Sequence, residues 1–229
     1  MKQSFELSYS NAITTFLEEQ KICLFITTYQ AGKLIIISSK DGQLIQTPIS
    51  FKKPMGIAID GTKMAVACLD ELCFFSKNEN TAPFVNNEDQ QYDAIYLQRA
   101  TYHTGTLDVH DLCFGDGMIW GINTLFSCIS VFDINHSFRP KWKPPFISQL
   151  VPEDRCHLNG MVLKDGVPKY VTALSEDDVK QGWRKNKLNT GVLMEVPSGE
   201  IILSGLSMPH SPRFYKDELY LLESGTGSL

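Results

Sequence analysis

Four hairpins built on one plan recur along this chain and constrain its fold more than any other feature. They are PMGIAI-DGT-KMAVAC, VHDLCF-GDG-MIWGIN, LNGMVL-KDG-VPKYVTAL and HSPRFY-KDE-LYLLES. Each reads as a strand, a tight turn rich in Asp and Gly, and a second apolar strand; Gly supplies the positive φ that such reversals need. With Ile57, Leu112, Met161 and Arg213 as equivalent positions, the intervals are 55, 49 and 52 residues. A sandwich also offers many short strands, but nothing in a sandwich requires one hairpin to recur at a fixed interval. A repeat of this length with four strands per unit is the pattern of propeller blades. The expected fold is all-β, a β-propeller with four-stranded blades of about fifty residues. Helical periodicity is confined to the start, where Ser10 is expected to cap a short helix running through FLEEQ.

With strands lettered A to D outward from the axis, the four hairpins supply A and B. ELCFFS, SCISVFDI and GVLMEV-PSGE-IILSGL supply outer strands of the second, third and fourth blades. LFITTYQ, AGKLIIIS and QLIQTPISF give B, C and D of a first blade without an evident A, and the last blade has only A and B. The expectation is one domain over 1–229, with blades near 21–51, 54–107, 109–156, 158–207 and 210–229. That makes three whole blades flanked by two partial ones. An unclosed sheet leaves edge backbone groups unpaired, so missing C-terminal blades or another chain are expected to close the ring.

Composition narrows the class of partner. Hydrophobic residues make up 43% and charged residues 21%, ordinary for a chain with a proper core. A net charge of −5 gives no basic field for nucleic acid or an anionic membrane. The start, MKQSFELSYSNAITTF, lacks the apolar core of a secretory signal, and the longest apolar run, Leu34 to Ile37, is too short to span a bilayer. A cytoplasmic location with reduced cysteines is therefore expected. Cys23, Cys68, Cys73, Cys113 and Cys128 sit in strand-like contexts and read as small buried hydrophobes. No CxxC pair occurs, which argues against a thiolate zinc site.

Several strings are too specific for composition to explain: TTYQAGKL, TGTLDVHDL, PPFIS, PEDRCHLNG, VTAL, GWR and GLSMPHSPR. Together they closely resemble a bacterial family carrying the domain of unknown function 4915 (DUF4915), over about Leu17 to the last residue. The resemblance implies a propeller-like fold and brings no activity with it. In that family the segment matching Ser224-Gly225-Thr226-Gly227 is followed by roughly a further hundred residues, about two blades' worth. This too implies that the chain is truncated at its C-terminus.

The propeller reading sorts the loops onto two faces. A–B and C–D turns share one face and hold DGT, GDG, KDG, KDE, KDGQ and PSGE, which are plain turn chemistry. The B–C and D–A connections share the other, with Tyr29-Gln30, Asn123, SEDDVKQGWRKN, TYHTGTLDVH, PEDRCHLNG and SMPHSP. Binding and catalytic groups concentrate on such loops. His110, His157 and His210 lie two, four and three residues before their anchors. They enter strand A at nearly one register, close to the mouth of the central channel. Three converging imidazoles would suit a divalent transition metal, or general acid/base catalysis, with Asp108, Asp111 or Asp154 orienting them. The competing expectation is structural: each histidine latches onto the backbone of the next blade, and the unequal offsets turn the side chains different ways.

Arg155, Arg184 and Arg213 could bind an anionic group through their planar forks, or form inter-blade ion pairs with Glu153, Asp154 or Asp177. Trp183 could stack on a ring substrate or simply close its loop. Asn159, in PEDRCHLNG, joins Tyr29, Gln30 and Asn123 as a candidate polar contact. Ser211 lacks GxSxG and reads as no nucleophile, and Gly225-Thr226-Gly227 reads as a turn rather than a phosphate loop. His103 and His136 are placed in loops on the histidine side, and Trp142 with the prolines of PKWKPPF is expected to brace a crossing. Two functions compete: a small-molecule or metal site with turnover, or a module that binds a peptide, carbohydrate or partner domain on the same face.

Overall fold

A computed structural model describes residues 7–86 and 92–229. It divides into two compact units, Met1–Pro54 and Met55–Leu229.

In the first unit α1 (Ala12–Gln20) precedes a three-stranded antiparallel sheet of β1 (Leu24–Thr28), β2 (Lys33–Lys40) and β3 (Gln43–Ser50), in that order. Leu17 of the helix packs on Ile35 and Ile37, two positions apart and so on one face of β2. The helix is where the sequence places it, but its cap is not Ser10. Asn11 occupies the cap position in a helical conformation, with no side-chain capping bond, and Ser10 contributes only its carbonyl to the Ile13 N–H. A side-chain cap needs extended backbone at that position, which Asn11 does not have. Cys23, expected to be buried, is exposed at the entrance to β1.

The second unit begins with β4 (Ile57–Asp60), β5 (Lys63–Ala67), β6 (Glu71–Asn78) and β7 (Ile95–His103). It continues with β8 (Val109–Gly115), β9 (Met118–Asn123), β10 (Cys128–Asp133) and β11 (His136–Trp142), then β12 (Leu158–Lys164), β13 (Val167–Ala173), β14 (Gly191–Glu195) and β15 (Ile201–Leu206). The hairpin β16 (Pro209–Tyr215) and β17 (Glu218–Glu223) ends it. Every sheet is antiparallel with its strands in sequence order. The first strands of successive sheets, β4, β8, β12 and β16, lie side by side. This is the meandering, radially repeated blade of a β-propeller.

The core forms between blades. One apolar cluster joins Ala65, Ala67 and Leu72 to Val109, Leu112, Ile119 and Phe132. The next joins Ile122, Ile129 and Val131 to Leu158, Met161, Val171, Val192 and Met194. Each fully buried Leu or Ile contributes about 1.5–3 kcal/mol, so blade-to-blade contact carries the stability.

Two outer strands differ from expectation. Thr101–His103 end β7 rather than lying in a loop, and HSFRPKW forms β11, so Trp142 and Pro140 sit in an outermost strand rather than a crossing. An edge strand tolerates Pro140 because its outward N–H has no ladder partner to lose. His136 therefore starts the strand after the β10–β11 turn, at the blade end opposite His110. None of the helices among the described residues is long and apolar enough to cross a membrane.

The inner strands share one irregularity that positions the site. In β8, β12 and β16 the register shifts between Val109 and Leu112, Leu158 and Met161, and His210 and Arg213. Two residues bulge against one in each case: His110-Asp111, Asn159-Gly160 and Ser211-Pro212. Bulges re-aim side chains at the ends of sheets, and these three ring the same mouth.

Candidate functional site

The segment Glu153–His157 enters β12 under tension. Asp154 and His157 both adopt positive φ, +49° each, a conformation that costs a non-glycine residue about 1–3 kcal/mol and clusters at functional sites. The Asp154 N–H donates to the Leu125 carbonyl at 2.9 Å, fixing the segment to the β9–β10 connection of the neighbouring blade. The buried Asp154 carboxylate accepts the Trp183 Nε1–H at 2.9 Å and meets His157 Nδ1 at 3.0 Å from each oxygen. A carboxylate can only accept, so His157 carries its proton on Nδ1 and presents Nε2.

His110 is held in the same sense. Its Nδ1 lies 2.9 Å from the Asp108 carbonyl and 2.8 Å from Thr124 Oγ1. The Thr124 hydroxyl donates to the Leu158 carbonyl at 2.6 Å, so it receives from His110, and Nδ1 again carries the hydrogen. The rings of His110 and His157 meet edge to face, with centroids 4.7 Å apart and planes at 80°. Burial pushes the His110 pKa below the usual imidazole value, and the neighbouring His157 pushes it further. His110 is therefore neutral at pH 7, with its Nε2 lone pair intact.

His210 completes the arc from the next inner strand. Its Nδ1 donates to the Met208 carbonyl at 2.7 Å, and Nε2 receives the Asn159 amide at 3.1 Å. Burial lowers its pKa. Both imidazole nitrogens are thus engaged with protein, and the latch role fits His210 better than it fits His157.

The remaining candidates divide. Trp183, in the 3-10 turn Gly182–Lys185, is only 7% exposed, packs on His157 at 4.2 Å and has the Arg184 guanidinium over its ring at 4.4 Å. Arg155 is tied to Glu153 and to Asp178, each at 2.8 Å; the partner is Asp178 rather than Asp177. Arg213 is held by both oxygens of Asp111. Asn123 is fully buried; its Oδ1 accepts the Phe126 N–H and its Nδ2 has no partner among the described residues. Tyr29 and Gln30 belong to the other unit, at the β1–β2 turn, where Lys53 lies 5.2 Å from the Tyr29 ring.

As the side chains stand, the three histidines do not bring their ligand atoms to one point. Among the described residues the group that does so is Cys68, Glu71 and Cys73, with ligand atoms all within 4.8 Å of one another. Its two cysteines are spaced C-x4-C, so the CxxC pattern does not include them.

A family model described as "Domain of unknown function (DUF4915)" matches residues 11–229. The chain belongs to the DUF4915 family. Among solved structures, the DUF4915 chain is similar to a streptogramin B lyase, at 14% identity over 89% of this chain and 59% of that one, with a TM-score of 0.49. Virginiamycin B lyase from Staphylococcus aureus gives 14%, 90%, 61% and 0.47. AztD from Citrobacter koseri gives 13%, 88%, 53% and 0.37. The chain thus spans less than two thirds of the length of each. Likeness at this level says nothing about activity. No curated protein matches the DUF4915 chain.

Proposed function

We propose that the histidine cluster of the DUF4915 chain is a small-molecule site of the proton-transfer type, with His157 as general acid/base. The observation that carries this reading is the buried Asp154 carboxylate against His157 Nδ1, which leaves Nε2 without a hydrogen bond among the described residues. A carboxylate behind an imidazole fixes its tautomer and stabilises the imidazolium that forms when Nε2 takes a proton. His110, neutral and edge-on, offers a second Nε2 beside the first. Of the three arginines read as anion binders, Arg155 and Arg213 are neutralised by carboxylates. Arg184, exposed over Trp183, is left to favour a polar or anionic substrate.

A divalent transition metal is a variant of the same site. Two imidazole Nε2 atoms are suitable donors, but His210 would have to release Asn159 to become a third. Presentation of Trp183 as a stacking platform is disfavoured, because its ring is already covered by His157 and Arg184.

Nitrogen-15 NMR of the imidazoles tests the reading directly. The neutral His157 ring is expected in the Nδ1–H tautomer, and Asp154→Asn is expected to change that tautomer. A wild-type His157 carrying its proton on Nε2 rules out the base assignment. Turnover of small lactones, esters and hydroxy acids would then identify the substrate class. Any activity at this site should fall about 10²–10⁴-fold in His157→Ala.

A further inference from the structure

The corner between β5 and β6 holds a second constellation, made from residues the histidine site does not use. Cys68 and Cys73 are buried at 4% and 2% exposure, while the Glu71 side chain between them in sequence is 30% exposed. The Cys68 N–H donates to the Glu71 carbonyl at 2.8 Å, closing the turn and folding the thiols toward the carboxylate. Cys73 Sγ lies 3.7 Å from Glu71 Oε1. Across the strand pair, Glu71 faces His103, whose Nδ1 stands 3.7 Å from Glu71 Oε2 and whose side chain is 83% exposed.

We propose that Cys68, Glu71 and Cys73 bind a thiophilic divalent cation of the zinc class, with the fourth position open to water or to His103. Sulfur and oxygen ligands on a tetrahedral zinc stand roughly 3.5–3.8 Å apart, given bonds of about 2.3 and 2.0 Å. The Cys73–Glu71 separation is of that size. C-x4-C lies within the ligand spacing that structural zinc sites use. The two thiols supply soft donors from inside the blade, and Glu71 and His103 lie at the surface, where a hydrated ion would enter. Binding of one M²⁺ by the two neutral thiols releases two protons to solvent, and no redox partner is involved. The site would pin the β5–β6 corner to the end of β7.

Cobalt(II) is the probe, added to the reduced, chelator-treated chain. The expected result is one equivalent bound with thiolate-to-cobalt charge-transfer absorption, and cobalt or zinc raising the melting temperature. The absorption should vanish in Cys68→Ser and in Cys73→Ser. In Glu71→Gln, which leaves both buried thiols in place, affinity should fall at least tenfold. Cys156 adjoins the histidine site and is fully buried, so Cys156→Ala, which should keep the absorption, separates the two sites. Circular dichroism checks that each variant folds. Absence of thiolate absorption in the wild-type chain overturns the proposal, as does its persistence in both serine variants or its loss in a folded Cys156→Ala chain.

Discussion

Asp111 grips Arg213 with both carboxylate oxygens, Oδ1 at 3.0 Å from one terminal guanidinium nitrogen and Oδ2 at 3.1 Å from the other. The same carboxylate receives the Leu112 and Met161 N–H groups, each at 3.0 Å, and Arg213 donates to the Met161 carbonyl at 2.9 Å. One ion pair thus ties β8, β12 and β16 together, between residues 102 apart in sequence. Replacing Arg213 with Met should destabilise the fold by about 1–3 kcal/mol, measured by urea unfolding. That is less than a fully buried pair would cost, because the Arg213 side chain is 48% exposed and water screens it. If Arg213→Met unfolds at the wild-type urea midpoint, the pair contributes nothing to holding the inner strands.

Asp154 serves two donors, and its substitution separates them. Asp154→Asn keeps the shape but turns one oxygen into an amide donor: the remaining oxygen can serve the Trp183 Nε1–H, and His157 Nδ1 must then give up its hydrogen to accept from the amide. Loss of the charge-assisted bonds should cost about 1–3 kcal/mol. Trp183→Phe removes only the indole donor and keeps the aromatic packing on His157. It should cost less than Asp154→Asn in melting temperature and leave the His157 tautomer unchanged. A Trp183→Phe chain as unstable as Asp154→Asn would show that the indole bond, not the imidazole bond, dominates at this carboxylate.

The blade repeat was legible because the A–B hairpins repeat both turn chemistry and apolar alternation. Leu112, Met161 and Arg213, chosen as anchors on that pattern, each prove to follow the bulge of their inner strand. The outer strands were harder to see. In β7 and β11, Arg99, His136 and Pro140 interrupt the alternation, since an edge strand meets the core on one face only. The convergence of His110 and His157 followed from register alone. Asp154 is one of the three carboxylates expected behind the histidines, but that it is the one meeting His157, and that Asp111 instead bonds Arg213, depends on bulges and positive φ that leave no periodic trace. The Cys68, Glu71 and Cys73 group was visible as C-x4-C but was read as strand core, because each cysteine also satisfies the apolar pattern.

The histidines should make stability depend on pH in one direction. Burial lowers the folded-state pKa of His110 and His210 below the ordinary imidazole value of about 6.5. Above 6.5 both folded and unfolded chains hold these rings neutral, and their contribution to stability is fully present. As pH falls below 6.5 the unfolded chain takes up protons that the folded chain refuses, so stability drops until the folded-state pKa is reached. Urea midpoints measured from about pH 8 down to pH 5 should decline, and the slope should be shallower in His110→Gln. An identical slope in that variant would place the titration elsewhere.

Gly160 lies in the β12 bulge, against Ser211 and Pro212 of the next inner strand. A Cβ there would stand 2.8 Å from both the Ser211 amide nitrogen and Pro212 Cδ. Neither is the end of a flexible side chain, so β12 and β16 must part, at about 1–3 kcal/mol for overpacking. Gly117, in the β8–β9 turn, has open space but φ +69°, so Gly117→Ala should cost about 1 kcal/mol from backbone strain alone. The two substitutions also differ in reach. Gly160→Ala displaces Asn159, its neighbour, and should break the Asn159–His210 bond, shifting the His210 nitrogen-15 resonances. Gly117→Ala should leave them where they are. Equal melting temperatures with an unmoved His210 in both variants would mean that β12 and β16 are not locked together at the bulge.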